Sequence, residues 1–260
     1  MSSNFNQWGE SGPLVVCVHG SMATGTTAFA AQQPLGENFR VRVVTRPGYG
    51  DRELIERVDV ESDAQELFSM LEPGSHLVGT SMGGIVSVIA AALRPDLVAS
   101  LTLIEPPAFP LALDIPAVRD TARELQRTYE TATEGTDREF TQRFIRALKL
   151  DLQLPDPAPA AFERAMRNVR TERPWRADVP IGALASHRIP TLVFGGGWSD
   201  AFTATARRVA GMLSAAFIEL PGQLHGVQRV GEPFNRAVVD FWKSIRPKGH
   251  SLETPEGKTL

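Results

Sequence analysis

The chain has 260 residues, with 27 Lys and Arg against 30 Asp and Glu, which gives a formal net charge of −3. This slightly acidic balance lacks the basic surplus typical of nucleic-acid-binding proteins, so we predict no nucleic-acid partner. The single cysteine, Cys17, excludes an intramolecular disulfide and a cysteine-based zinc site. The sequence contains no run of roughly 20 apolar residues for spanning a bilayer and no apolar signal-peptide core, so we expect a cytoplasmic protein without membrane contact.

Short apolar runs that end near Gly or Pro recur along the chain and predict buried strands. They cover residues 14–18, 40–45, 75–78, 98–104, 191–194 and 216–220. Helical patterns lie among them at residues 59–71, 82–93, 202–213 and 232–245. Alternating strands and helices predict an α/β fold with a mostly parallel, doubly wound sheet.

Residues 108–187 interrupt this alternation, because they contain no convincing strand pattern. Three helix-like blocks, 115–133, 137–150 and 160–173, are separated by turn or Pro-rich joints. We interpret residues 108–187 as a helical cap inserted into a sheet domain formed by residues 1–107 and 188–247. Residues 248–260 are polar and are expected to form a flexible tail.

A candidate nucleophile lies in Gly79-Thr80-Ser81-Met82-Gly83, between a predicted strand and a predicted helix. This G-x-S-x-G pattern in that context is typical of a nucleophile elbow, a strained turn that exposes the serine hydroxyl above the sheet edge. The helix that follows directs free N–H groups at the site. In such sites the N–H after the nucleophile, here of Met82, helps bind an oxyanion, and we expect the second N–H from Ser21 or Met22 in the loop after the first buried strand.

His225 is the candidate general base, because it follows the last predicted strand and precedes the last helix. The carboxyl end of a strand places it at the same sheet edge as Ser81. The other histidines fit this role less well. His19 is expected to fix its loop by hydrogen bonding, His76 lies at a strand start, His187 lies at the cap exit and His250 lies in the tail.

The order of the segments HGS, RPGYG, GTSMGG, LIEPP and PGQLHG resembles the α/β-hydrolase superfamily over residues 14–245. The resemblance implies a serine hydrolase that works through an acyl-enzyme intermediate and needs no metal or organic cofactor. Haloalkane dehalogenases and epoxide hydrolases are poor matches, since those relatives use Asp at the elbow. Many relatives begin with an antiparallel hairpin, but only about a dozen residues precede the HGS strand here, so we expect a sheet shortened at that edge.

The third member of the triad has two candidates. Most members of the superfamily place the acid after the strand that corresponds to residues 191–194, where Asp200 is the nearest carboxylate. However, Ser199-Asp200 directly precedes a helix, which is typical of an N-cap, and Trp198 occupies the position of the usual acid. Glu105 ends an apolar strand before two prolines, where a buried carboxylate needs a partner such as an imidazolium. A minority of the superfamily, including some lactone hydrolases, carries the acid at this strand end. We therefore rank Glu105 first and Asp200 second.

The cap indicates a substrate whose acyl or alcohol portion is of moderate size and largely apolar character. We predict hydrolysis of a carboxylic ester or a lactone, with Met22, Trp198 and Val227 contacting the substrate. Alternatives are a C–C bond hydrolase, a thioesterase or a lyase on the same triad, and a ligand-binding relative without catalysis. The expected partner is a small-molecule substrate, and a homo-oligomer is compatible with the sequence.

Overall fold

The computed structural model describes residues 4–173 and 178–245. Within this part of the chain, seven strands form one sheet in the order β1-β3-β2-β4-β5-β6-β7. The strands are β1 (Phe5–Trp8), β2 (Leu14–Val18), β3 (Arg40–Val44), β4 (Ser75–Thr80), β5 (Val98–Ile104), β6 (Thr191–Gly195) and β7 (Ala216–Glu219). Strands β2 to β7 pair in parallel and β1 pairs antiparallel with β3. The predicted mostly parallel α/β fold is therefore confirmed.

Helices cover both faces of the sheet. They are α1 (Gly25–Ala28), α2 (Val60–Leu67), α3 (Met82–Leu93), α4 (Pro116–Glu130), α5 (Asp137–Ala147), α6 (Ala160–Val169), α7 (Ile181–Ser186), α8 (Asp200–Met212) and α9 (Glu232–Ser244). One core cluster joins the sheet to α2, α3, α7 and α8, and a second joins it to α1, to a 3-10 helix (Ala30–Glu37) and to α9. Buried apolar residues on both faces explain why the central strand patterns are continuous rather than alternating.

Strand β1 could not be predicted from the sequence, because it contains no buried apolar run. Its four residues, Phe5 to Trp8, are half-buried at the ends and exposed in the middle, as suits an edge strand. A single strand, β1, therefore precedes β2 in the chain, and it pairs antiparallel with β3 at the edge of the sheet.

Helices α4, α5 and α6 lie between β5 and β6, within the residues predicted as a cap. A third apolar cluster packs α4 and α5 against α8, with Phe109, Phe140 and Phe202 among its buried members. Helix α5 begins at a capping box in which the Thr136 hydroxyl accepts from the Glu139 N–H and the Glu139 carboxylate accepts from the Thr136 N–H.

Helix α7 also falls within residues 108–187, but it packs differently from the other three helices. Its Ile181 and Leu184 are buried in the cluster that contains α3 and the sheet. The packing thus changes from cap to sheet one helix before the predicted boundary at residue 187. The predicted tail, residues 248–260, lies outside the described residues, as do residues 1–3, 174–177, 246 and 247.

Candidate active site

Ser81 lies in a sharp turn between β4 and α3. Its φ of 52° is in the left-handed region that L-residues rarely adopt, and the Ser81 N–H donates to the Ile104 carbonyl at 2.8 Å. A methyl group at Gly83 would lie 2.2 Å from the Val18 carbonyl oxygen, so the start of α3 packs too closely on β2 for any side chain there. This packing explains the glycine two residues after Ser81 and holds the serine hydroxyl at the carboxyl edge of the sheet.

Three side chains form a continuous hydrogen-bonded chain at this edge. Ser81 Oγ lies 2.9 Å from His225 Nε2, and His225 Nδ1 lies 2.7 Å from Glu105 Oε2. A carboxylate accepts hydrogen bonds but donates none, so we assign the imidazole proton to Nδ1. His225 Nε2 is then free to accept a hydrogen bond from the Ser81 hydroxyl. The His225 ring also packs on Phe202, with ring centroids 4.3 Å apart, which fixes its tilt. This arrangement can remove a proton from Ser81.

Glu105 is completely buried at the end of β5, with a φ of 44°. Besides His225, the carboxylate accepts from the Gly196 N–H at 2.7 Å and from the indole N–H of Trp198 at 2.9 and 3.0 Å. Hydrogen bonds from fixed donors stabilise a buried negative charge, which in turn stabilises an imidazolium at His225. The structure therefore joins Glu105 to the Ser81–His225 pair.

Asp200, the other candidate acid, lies elsewhere. It is the exposed first residue of α8, where Ser199 is the N-cap and its hydroxyl accepts from the Phe202 N–H. Within the described ranges no hydrogen bond joins Asp200 to His225. The helix-start interpretation of Ser199-Asp200 accounts for its position.

The loop after β2 closes the other side of Ser81. A methyl group at Gly20 would lie 2.6 Å from the Ser81 Cβ, so this loop touches the serine directly. The next residues, Ser21 and Met22, line the same cavity as Ser81 and Met82. The Ser21 and Met82 N–H groups have no acceptor among the described groups, which leaves both free to bind a developing oxyanion.

His19, at the end of this strand, is a hydrogen-bonding residue of the loop. Its Nε2 accepts from the Arg46 N–H at 3.0 Å and its Nδ1–H donates to the Gly20 carbonyl at 2.6 Å. Complete burial, together with the positive charge of Arg46, lowers the His19 pKa to about 3. His19 is thus neutral at pH 7 and orients the loop, as expected from the sequence.

A cavity of about 500 Å³ opens above Ser81 between the cap and the sheet. Its apolar wall comes mainly from the cap, and the exposed Arg229 lies among the residues on the sheet side. The cap contributes Phe144, Leu148, Leu150, Leu152, Pro155 and Phe162. The volume falls in the range of small-molecule sites. Within residues 4–173 and 178–245, no group of three or more His, Cys, Asp or Glu side chains is arranged to hold a metal ion.

The three residues predicted to contact substrate have different positions. Met22 lines the cavity, but Trp198 and Val227 do not. The Trp198 indole is turned toward Glu105, and Val227 is fully buried in the core cluster beneath α9. In this structure Trp198 donates to Glu105 and Val227 packs in the core, and the contact of these two residues with substrate stays a prediction.

Comparison with known proteins identifies the family. The profile of the Alpha/beta hydrolase family matches residues 15–239. The chain belongs to this family. Among its curated relatives, the pimeloyl-[acyl-carrier protein] methyl ester esterase of Aeromonas salmonicida is 26% identical over 189 residues, 72% of this chain and 69% of the relative. The same-named enzyme of Sodalis glossinidius is 28% identical over 220 residues, 84% of this chain and 75% of the relative.

Solved structures show the same fold. An alpha/beta hydrolase from Sphaerobacter thermophilus superposes with a TM-score of 0.68 at 25% identity, covering 92% of this chain and 95% of that one. MenH from Staphylococcus aureus superposes with a TM-score of 0.70 at 16% identity, covering 93% and 98%. The predicted superfamily is confirmed, and the prediction of an ester-bond hydrolase agrees with the names of the curated relatives.

The contacts that surround the Ser81–His225–Glu105 chain of hydrogen bonds were not predicted from the sequence. The donors to Glu105 were not foreseen, although Trp198 had a signal, since it occupies the position where relatives carry the acid. A buried ionic cluster formed by Arg46, Tyr49, Asp63 and Glu172 was also missed. The RPGYG motif contains Arg46 and Tyr49, but nothing near Glu172 in the sequence marks it as their partner.

No helix within the described ranges combines the length and the apolar character needed to cross a membrane.

Proposed function

We propose that this chain is a serine hydrolase that cleaves carboxylic esters with a largely apolar acyl group of moderate size. The observation that carries the proposal is the Ser81–His225–Glu105 chain of hydrogen bonds at the floor of an apolar cavity. The curated relatives, which are named as methyl ester esterases, support the same bond type.

The geometry supports a two-step reaction. His225 Nε2 takes the Ser81 proton as Oγ attacks the acyl carbon, and the N–H groups of Ser21 and Met82 stabilise the oxyanion. His225 then protonates the leaving alcohol, which departs and leaves an acyl-enzyme on Ser81. Water, deprotonated by His225, then attacks this ester. The bond between the acyl carbon and Ser81 Oγ breaks, the imidazolium returns its proton to Oγ, and the carboxylic acid leaves. Glu105 holds the imidazole with its Nδ1 proton inward and stabilises the imidazolium of each step.

A substrate screen tests this proposal. The screen compares four substrate classes, with Ser81→Ala as the blank. They are methyl and p-nitrophenyl esters with acyl chains from acetyl upward, methyl half-esters of dicarboxylic acids, lactones, and thioesters. We expect ester turnover that depends on Ser81 and a higher kcat/KM for medium than for acetyl chains. Preference for a lactone or a thioester would correct the substrate class, whereas failure of a fluorophosphonate to label native protein at Ser81 would favour a ligand-binding protein. A cytoplasmic location and a small-molecule substrate remain parts of this proposal.

A further inference from the structure

A buried polar cluster connects the cap to the loop beside the nucleophile. Glu172, which follows α6, is 1% exposed, and its carboxylate accepts from the Ser21 hydroxyl, a residue 151 positions away. The other carboxylate oxygen accepts from the Tyr49 hydroxyl at 2.7 Å and lies 3.5 Å from Arg46 Nη1. Arg46 in turn donates from Nε to Asp63 at 2.8 Å.

The cluster is unusual for a purely structural contact. It holds two carboxylates, Asp63 and Glu172, against one guanidinium, and all three side chains are at most 4% exposed. Burial raises the pKa of the Asp63 carboxyl, and Arg46 only partly offsets this effect. An apolar contact of similar size would attach the cap without the cost of burying these charges. Attachment of the cap alone therefore does not explain these buried charges, whereas the hydrogen bond to Ser21 suggests a second role for them.

Ser21 belongs to the loop that faces the developing oxyanion. On one side Gly20 touches Ser81, and on the other side Met22 has a φ of 60°, which a methionine adopts only when surrounding contacts hold it. The hydrogen bond from the Ser21 side chain to Glu172 ties the loop between these two points. A carboxylate supplied by the cap thus holds the side chain of the residue whose N–H is the candidate oxyanion donor.

We propose that Glu172 is a positioning residue for the oxyanion-binding N–H of Ser21, so that the cap takes part in building the catalytic site as well as the substrate cavity. This inference rests on the proposed ester hydrolysis. A displaced N–H weakens binding of the transition state more than binding of the substrate, so its loss lowers kcat and leaves KM nearly unchanged.

The test uses the full chain and two variants of the same contact. Glu172→Leu removes the acceptor at similar volume, and Ser21→Ala removes the donor with a minimal change of shape. Each should lower kcat for p-nitrophenyl acetate by about 10- to 100-fold with KM within about 2-fold, since loss of a whole oxyanion donor costs about 10²–10³-fold. The double variant should be no slower than the slower single variant, because both substitutions break one contact.

Two further readouts separate positioning from simple cap attachment. The inhibition constant of a trifluoromethyl ketone, whose adduct with Ser81 carries an oxyanion, should rise by the same factor as kcat/KM falls. Glu172→Gln should recover most of kcat, since the Ser21 hydroxyl can turn and accept from the amide. Thr171→Val is the matched control, because it removes the neighbouring hydrogen bond from the Val58 N–H to the cap at 3.0 Å but leaves Ser21 untouched.

The outcomes distinguish this inference from the proposed function. If the native enzyme hydrolyses esters through Ser81 but Ser21→Ala keeps kcat within about 2-fold, the positioning role is wrong and the function stands. The role is also wrong if Thr171→Val lowers kcat as much as Glu172→Leu, or if only KM for long acyl chains changes. If Glu172→Leu does not fold, the Ser21→Ala result decides. If the native protein neither hydrolyses esters nor reacts at Ser81, the function and the inference fail together.

Discussion

At the scale of single residues, the position of Glu105, the proposed triad acid, is the least usual feature of this site. Glu105 lies at the end of β5 and receives donors from Gly196, Trp198 and His225, whereas Asp200 lies exposed at the start of α8. Three donors converge on one buried side chain, so its orientation is fixed before any substrate binds. This geometry makes the choice between the two acids open to a direct test.

Glu105→Gln should lower kcat by roughly 10³- to 10⁴-fold, because the amide stabilises neither the required tautomer nor the imidazolium of His225. Asp200→Asn should keep kcat within about 2-fold. Steady-state ester hydrolysis measures both, with thermal unfolding to show that each variant is folded. A large loss in Asp200→Asn alone would transfer the role of acid to Asp200.

Glu105 could be predicted from sequence because a carboxylate between an apolar strand and two prolines is out of place without a function. Ser81 and His225 were predictable for a similar reason, since each lies in a short motif at a strand end. The proposed role of Glu172 was not predictable, because it depends on contacts with Ser21, Arg46 and Tyr49, which are more than 120 positions away. A short sequence pattern indicates which backbone conformation a segment adopts, but it does not indicate which distant segments will contact it.

At the scale of elements, the strands with apolar runs were predicted within about two residues, although β7, predicted as buried, is a partly exposed edge strand. The other edge strand, β1, was missed because it has no apolar run. Helix α1 was also missed, since four residues give no periodic pattern.

The start of β4 offers a further test of the fold. There His76 lies 2.8 Å from the Ser100 hydroxyl and stacks on Trp242 of α9 at a centroid distance of 5.2 Å.

Burial lowers the His76 pKa from 6.5 to about 4. Between these pH values the unfolded chain binds a proton at His76 and the folded chain does not, so the free energy of unfolding falls as pH falls from 6.5 to 4. In His76→Gln this fall should be smaller by about 2 kcal/mol. Urea unfolding at several pH values measures it, with the exposed His187→Gln as a matched control. Equal pH dependence in native protein and His76→Gln would contradict the assignment.

At the scale of the whole molecule, the cap and the sheet enclose the cavity together. The sheet supplies Ser81 and His225, while the cap supplies most of the apolar wall and, in our inference, the carboxylate of Glu172. The sequence indicated that such a cap exists, but not which of its side chains face the substrate, because that depends on how α4 to α6 dock on α8.

Filling the cavity from the cap side should shorten the acyl chains that the enzyme accepts. Leu150→Trp is expected to lower kcat/KM for octanoyl esters by about 10-fold or more and to leave acetyl esters within about 2-fold, since the added ring occupies acyl-chain space. Leu113→Trp, which changes an exposed leucine outside the cavity lining, is the control. A uniform loss for all chain lengths in Leu150→Trp would place the acyl group elsewhere.

In the proposed reaction, Ser81 carries the acyl group between the two steps of ester hydrolysis. Intact-mass spectrometry after rapid acid quench of the native enzyme with p-nitrophenyl butyrate measures this directly. We expect a species heavier by one butyryl group, located at Ser81 by peptide mapping and missing from Ser81→Ala. Rapid turnover by native enzyme with no acyl adduct at Ser81, or equal turnover by Ser81→Ala, would contradict it.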